Sequence, residues 1–361
     1  MLNWRDPRNP LAGGAERVSL AYMQGLVERG HEVVWFANKF PGGAHKELIN
    51  DIQVVRDGGK LTSWRAAQKW YATQKPFDLV IDQHHGIPWY APWWCETNCV
   101  AYIHEVLGPI WSSFYPWPLS AIGKWQERLT HHKYREVPFW TASTFTHDQL
   151  KASGVESVTT IPYGVETRVL EELPKKELDE PLALIVVSRL APNKQVDHAI
   201  TAVQCLVKEH ELKVHLKIVG TGEEEAALKE CMYELGVSDC VEFFGSLTEE
   251  KKDIALREAH FLLHTSIREG WGLNVIEGNA MGTPAVVYPV PGLMESTLHR
   301  QTGLVTDEDT PSSLAEAIAN VQSSEGHYQD WRIAARDRAR EFHWEQVLPA
   351  ACDQLEEWAK E

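Results

Sequence analysis

The stretch "REGWGLNVIEGNAMGTPAVV" (residues 268–287) sets a carboxylate beside a Gly-Trp-Gly turn and a second carboxylate eight positions on, with Asn274 between them. The preceding "HFLLHTS" reads as a buried strand. "IREGWG" is then the loop at that strand's carboxyl end, and "LNVIEGNAMG" a short helix closed by Gly282 and Pro284. Gly270 and Gly272 let main chain approach a ligand closely. The helix amino terminus adds unpaired N–H groups and the positive end of a dipole, a combination that suits a phosphate. Glu277, a turn into the helix, can accept two hydrogen bonds from a cis-diol, while Glu269 on the loop can accept from hydroxyls farther along the ligand. On continuous helix the two carboxylates would stand roughly 12 Å apart.

Two cations strengthen this reading. "VVSRLAPNKQVDHAI" ends a strand with Arg189 and starts a helix just past Lys194, so both can face the same ligand. Arginine offers a fork for two phosphate oxygens and lysine a point charge. An isolated E-x7-E pair is more often two solvated glutamates on a capped helix. Joined to Arg189 and Lys194, the order diol, phosphate, hydroxyls suits a nucleoside diphosphate sugar.

Outward from this stretch, strands alternate with helix-length segments. "LALIVVSRL", "KVHLKIVG", "VEFFG", "HFLLHTS" and "PAVVYPV" repeat a pattern already set by "HEVVWFA" (31–37), "FDLVID" (77–82), "CVAYIH" (99–104) and "FWTAS" (139–143). Such alternation predicts doubly wound parallel sheets. The charged, proline-bounded "EELPKKELDEP" reads as a linker over 171–181, between a first domain at 1–170 and a second at 182–344. The expected fold class is α/β, two Rossmann-like domains facing across a crevice. Ligands in such folds sit at the carboxyl ends of the strands.

Charge separates the halves. Residues 1–170 hold 17 Lys and Arg against 16 Asp and Glu, a net of +1, whereas residues 171–361 hold 18 against 35, a net of −17. The acidic half disfavours nucleic acid, whose binding needs phosphate neutralisation. Eleven of the 15 tryptophans precede residue 141, so aromatic faces are expected in whatever the first half recognises. The six cysteines fit no zinc or C-x-x-C spacing and read as reduced thiols of a soluble, cytoplasmic chain. The apolar runs are strand length, well below the ~20 residues of a membrane span.

At this point the sequence resembles glycosyltransferase family four, the retaining GT-B enzymes. The likeness runs through "NPLAGGAERV", "YIHE" (102–105), "IPYGVE" (161–166), "SRLAPNK" (188–194), "FFGSLTEE" (243–250), the opening stretch, "TGLV" (302–305) and "FHWEQV" (342–347). The resemblance implies that Glu269 binds hydroxyls of a donor hexose, Glu277 the ribose, and Arg189 with Lys194 the diphosphate. It implies backbone contacts from Gly270, Trp271, Gly272, Leu273 and Asn274, closure by Gly13 and Gly14, and a reach of His104 to the donor sugar. It further implies that the first domain is the acceptor side, that the second is the donor-binding side, and that a last helix, about 345–361, packs back on the first domain. Family members open with a full first strand, whereas "MLNW" leaves that strand short. No family motif supplies a carboxylate nucleophile for a covalent intermediate, so the resemblance implies front-face substitution.

The expected reaction is transfer of a hexose from a nucleoside diphosphate sugar to a hydroxyl of a saccharide or lipid-linked saccharide, in polysaccharide or glycoconjugate biosynthesis. Other GT-B activities, epimerisation or phosphorolysis, stand as alternatives, as does a non-catalytic partner of another transferase. No cofactor or metal is expected. The "DED" at 307–309 reads as solvated charge on a turn, and "VGTGEEE" has Glu225 where a dinucleotide loop needs its third glycine. For the acceptor, His84 and His85 end a strand, and the loop 105–124 carries Trp111 and Trp117 among further aromatics. Three readings of that loop stand open: packing, a stacking platform for sugar, and a patch that meets the cytoplasmic membrane face.

Overall fold

The computed structural model describes residues 1–59, 62–322 and 327–360, and the chain separates into two compact units. The first comprises Met1–Tyr163 with Val347–Glu361, the second Gly164–Gln346.

In the first unit, β1 (Val34–Ala37), β2 (Lys46–Ile49) and β3 (Ile52–Arg56) form one small sheet in the order β1-β3-β2. A second runs β4 (Leu79–His84), β5 (Asn98–Ile103), β6 (Phe139–Thr141), β7 (Val158–Thr160), all parallel. The first three residues stitch the two together. Leu2 bridges Phe36 on one side and Asp82 on the other in parallel register, with Leu2 N donating to Ile81 O at 2.8 Å and Phe36 N to Met1 O at 2.9 Å. The short opening stretch thus serves as the central strand, and Leu2 is 3% exposed because it lies in the core with Phe36 and Val80.

The helix Gly14–Glu28 turns Val18, Tyr22 and Met23 inward on one stripe. At Gly25 an added Cβ would lie 2.8 Å from Leu348, so the missing side chain lets the terminal helix Trp344–Trp358 close on it. Arg29 clamps the same contact through Asp353 at 2.6 Å.

The second unit holds one parallel six-stranded sheet. It consists of β8 (Leu182–Val187), β9 (Val214–Val219), β10 (Val241–Gly245), β11 (Phe261–His264), β12 (Ala285–Val287) and β13 (Gly303–Val305), in the order β10-β9-β8-β11-β12-β13. The run "LALIVV" is apolar on both faces because helices cover both, among them Val196–Lys208 with Ala199, Ile200, Val203 and Leu206 buried. Strand order reverses between β8 and β11, which makes their carboxyl ends the topological switch point.

One boundary differs from expectation. Residues 171–181 belong to the second unit rather than forming a free linker. Lys176 donates to Arg257 O at 2.5 Å and Ala259 O at 2.7 Å, and buried Arg332 donates to Pro174 O at 2.7 Å. The acids of the run and Lys175 are exposed, as a solvated tether would have them, but Lys176 ends on main-chain carbonyls and Leu178 is buried, which ties the run to this unit. Among the described residues no helix is long and apolar enough to cross a membrane.

Candidate functional site

The loops after β8 and β11 are tied to each other at the switch point. Thr265 Oγ1 donates to the carbonyls of Lys194 and Gln195 at 2.9 and 2.8 Å, and Ile267 N to Asn193 O at 3.0 Å. This brings Lys194 Nζ to 2.7 Å from Glu269 Oε2, with His264 Nε2 3.4 Å from the same oxygen. Burial alone would raise the Glu269 carboxyl, but the Lys194 ammonium and His264 outweigh it and hold it well below the usual carboxylate range. Glu269 is therefore an ionised acceptor with oxygen lone pairs to spare. Arg189 follows β8 in the same loop with its side chain exposed.

The Gly-Trp-Gly turn is built by close approach. Gly272 has φ +83°, a left-handed conformation that L residues rarely adopt, and a Cβ there would meet Ser296 Oγ at 2.8 Å. Trp271 is 4% exposed, packed edge-on to Phe342 at 5.2 Å, so it anchors the turn from below. Asn274 Nδ2 donates to Val187 O at 2.8 Å, which locks the first turn of the helix Leu273–Ala280 to the end of β8. Leu273 is half-buried beside it. The amino terminus of this helix and the two cations share one end of the sheet.

Glu277 lies within the helix with its side chain 7% exposed, 3.1 Å from Lys252 Nζ. Lys252 is itself 8% exposed and holds Glu249 at 2.6 Å. Burial pushes the Lys252 ammonium down, but Glu277 and Glu249 more than reverse this, so it stays charged.

Sequence reasoning passed over three residues here. His264 was legible as the polar end of an apolar strand. Lys252 had no signal beyond being a lysine in a charged helix. Gly292 is needed because its Cβ would lie 2.2 Å from Glu269 O, a contact between segments that only folding creates.

In the first unit, Gly13 caps the helix Gly14–Glu28, its N–H donating to Glu16 Oε2 at 2.7 Å, and both Gly13 and Gly14 are exposed. His104 follows β5: its Nε2 accepts from Gln83 Nε2 at 2.6 Å and its Nδ1 bonds the Tyr163 hydroxyl. His85 reaches Asn3 Oδ1 at 2.9 Å. His84 departs from its expected acceptor role. Strand alternation turns it inward, 4% exposed, against Tyr134 and Phe139. Trp111 and Trp117 also part company: Trp111 is half-buried and donates to Glu127 Oε2 at 3.2 Å, whereas Trp117 is 82% exposed. Asp307, Glu308 and Asp309 are exposed.

The buried histidines predict an acid limit. Burial pushes His84, His85 and His104 each down to about 3, so the folded unit binds fewer protons than the unfolded chain below the ordinary histidine pKa of about 6.5. Their contribution is complete above that value and is lost as pH falls toward 3. His131, lowered to about 4, adds to them, while Asp82, raised to about 6 by burial, and Glu127, also raised by burial, act in the opposite sense, so four histidines stand against two carboxyls. Tryptophan fluorescence reports mainly this unit. The expected result is a denaturant midpoint that drops steadily from pH 6.5 to 4; a flat profile would contradict the burial argument.

Comparison with known proteins bears on the family and the fold. Residues 12–169 match the family described as Glycosyltransferase Family 4, and residues 170–338 match Glycosyl transferases group 1. Over 97% of the chain the fold superposes on sucrose-phosphate synthase from Thermosynechococcus elongatus, covering 93% of that chain at a TM-score of 0.77 and 19% identity. HepE from Anabaena, solved with UDP-glucose, superposes over 99% of this chain and 98% of its own at 0.72 and 18%. Glycogen synthase from Mycobacterium tuberculosis is 28% identical over 203 residues, 56% of this chain and 49% of that protein. The chain spans half or less of the length of the curated relatives it matches.

Two Rossmann-like parallel-sheet units, the second with its charged cluster at the switch point, define a GT-B protein. The two family matches, which together span residues 12–338, support a glycosyltransferase of the family-four type, with the group 1 region as its second half.

Proposed function

We propose that the protein is a retaining hexosyltransferase of polysaccharide or glycoconjugate biosynthesis. It moves a hexose from a nucleoside diphosphate sugar to a hydroxyl of a saccharide or lipid-linked saccharide. The observation that carries this reading is the ionised Glu269 held by Lys194 and His264 at the switch point, with Glu277 one helix turn beyond the amino terminus of Leu273–Ala280. The binding of UDP-glucose by Anabaena HepE, which shares the fold, lends support to a nucleotide-sugar donor.

In the proposed reaction the acceptor oxygen bonds to the anomeric carbon on the face from which the diphosphate leaves. The bond from that carbon to phosphate oxygen breaks, and the departing phosphate oxygen takes the acceptor's proton. Arg189, Lys194 and the helix amino terminus stabilise the negative charge that grows on the diphosphate. Glu269 orients the hexose through its hydroxyls, Glu277 the ribose. Gly13, Gly14 and His104 keep the donor contacts that the family resemblance implies, and His85 is retained as an acceptor-side candidate.

A panel of nucleotide sugars screened for thermal protection tests the donor assignment. A true donor at one hundred times its Kd stabilises the folded state by about 2.7 kcal/mol. Absence of protection by every member would refute it. With cations and a helix terminus as the charge stabilisers, transfer is expected to proceed unchanged in EDTA. Loss of activity in EDTA and recovery with magnesium or manganese would overturn that assignment.

A further inference from the structure

The helix Leu119–Lys133 and the turn that leads into it carry an apolar surface that donor chemistry leaves unused. Trp117 is 82% exposed, Trp125 64%, and Leu119 and Ile122 55% each. Leu119, Ile122 and Trp125 recur every third residue and share one side of the helix. The opposite side is firmly mounted. Glu127 is 5% exposed and accepts from Leu107 N and Gly108 N at 2.7 Å each, and Gly123 leaves no room for a Cβ beneath the Trp111 ring, which would lie 2.4 Å away. The exposed apolar side chains are thus displayed on a held element, where ordinary solvation would favour polar residues.

Charge around this face decides what it meets. The helix Leu119–Lys133 carries Lys124, Arg128 and Lys133 against a single acid, Glu127, which is buried. Arg128 and Lys133 are exposed, whereas Arg135, just past the helix, is paired with exposed Glu136 at 2.8 Å. The balance is opposite to the chain's overall −16. A second copy docked here would set cations against cations. Anionic headgroups complement them, while indoles and aliphatic side chains settle at the boundary between headgroups and acyl chains.

We propose that the face formed by Trp117, Leu119, Ile122 and Trp125, bordered by Arg128 and Lys133, docks on an anionic lipid surface. It does not rest on the transferase reading, since lipid binding is measured without donor or acceptor.

Sedimentation of the full chain with phosphatidylglycerol vesicles tests it, with phosphatidylcholine vesicles as the neutral comparison. The protein is expected to pellet with the anionic vesicles, more weakly as salt rises, and to stay in solution with the neutral ones. The triple variant Trp117→Ser, Ile122→Ser, Trp125→Ser is expected to lose the binding with its unfolding temperature unchanged, because these side chains are more than half exposed. Should that variant misfold, Arg128→Gln with Lys133→Gln carries the test, with an expected loss of roughly fivefold per charge removed. Wild type that stays in solution at low salt, or variants that pellet like wild type, overturns the proposal. So does a concentration-dependent dimer, dispersed by the triple variant, with no vesicle binding: the occupant is then a second copy.

Discussion

Glu269→Ala is expected to lower turnover by about two to three orders of magnitude, the scale of losing one preorganised polar contact to a transition state. Two consequences add here. The hexose loses the acceptor that orients it, and Lys194 loses its 2.7 Å partner, so its ammonium is free to shift toward the diphosphate and hold the product. The damage should therefore fall on kcat, with affinity for the free nucleoside diphosphate kept or increased. Glu269→Gln keeps the shape and one carbonyl acceptor but not the ion pair, and should fall between wild type and alanine. Steady-state kinetics combined with calorimetry separates these effects. Turnover within a few-fold of wild type would remove Glu269 from the reacting centre.

The second large effect concerns Glu277. If it holds the ribose diol, Glu277→Ala should weaken nucleoside diphosphate binding by about 1.5 to 3 kcal/mol, the range for a hydrogen bond to a charged acceptor. Stability should change less, because Lys252 retains Glu249 at 2.6 Å. The reverse variant, Lys252→Met, leaves the Glu277 carboxylate buried beside an apolar chain. Breaking a buried pair by removing one partner costs about 3 to 5 kcal/mol, so the thermal midpoint should fall sharply. Calorimetry with the nucleoside diphosphate and a thermal melt on both variants read the two roles independently. Glu277→Ala that binds like wild type would leave Glu277 as a structural partner of Lys252 only.

The architecture was legible wherever apolar strand patterns were long. "LALIVV" and "HFLLHTS" became β8 and β11, apolar runs of strands covered on both faces, and "KVHLKIVG" became β9, whose His215 and Lys217 alternate with buried Val214, Leu216 and Ile218. β2, β3, β7 and β13 were not singled out: β7 and β13 are three residues each, and β2 is partly solvated with its pattern diluted by charge. The run 171–181 misled for a related reason. Composition records how polar a segment is but not whether its lysine ends on water or, like Lys176, on the carbonyls of Arg257 and Ala259.

Local chemistry was determined by sequence alone. A Gly-Trp-Gly turn before a helix, two carboxylates eight residues apart and two cations after a strand specify residue types and spacings that depend only on neighbours along the chain. Tertiary structure decided the partners. That Glu269 meets Lys194 and His264, that Glu277 meets Lys252, that Gly292 must lack a side chain, and that Leu2 completes a sheet between Phe36 and Asp82 all depend on long-range packing. The same holds for the facing of His84 inward and Trp117 outward. Chain proximity sets local conformation at little entropic cost. Which distant side chains become neighbours is settled only when burial of the whole core selects one arrangement of the strands.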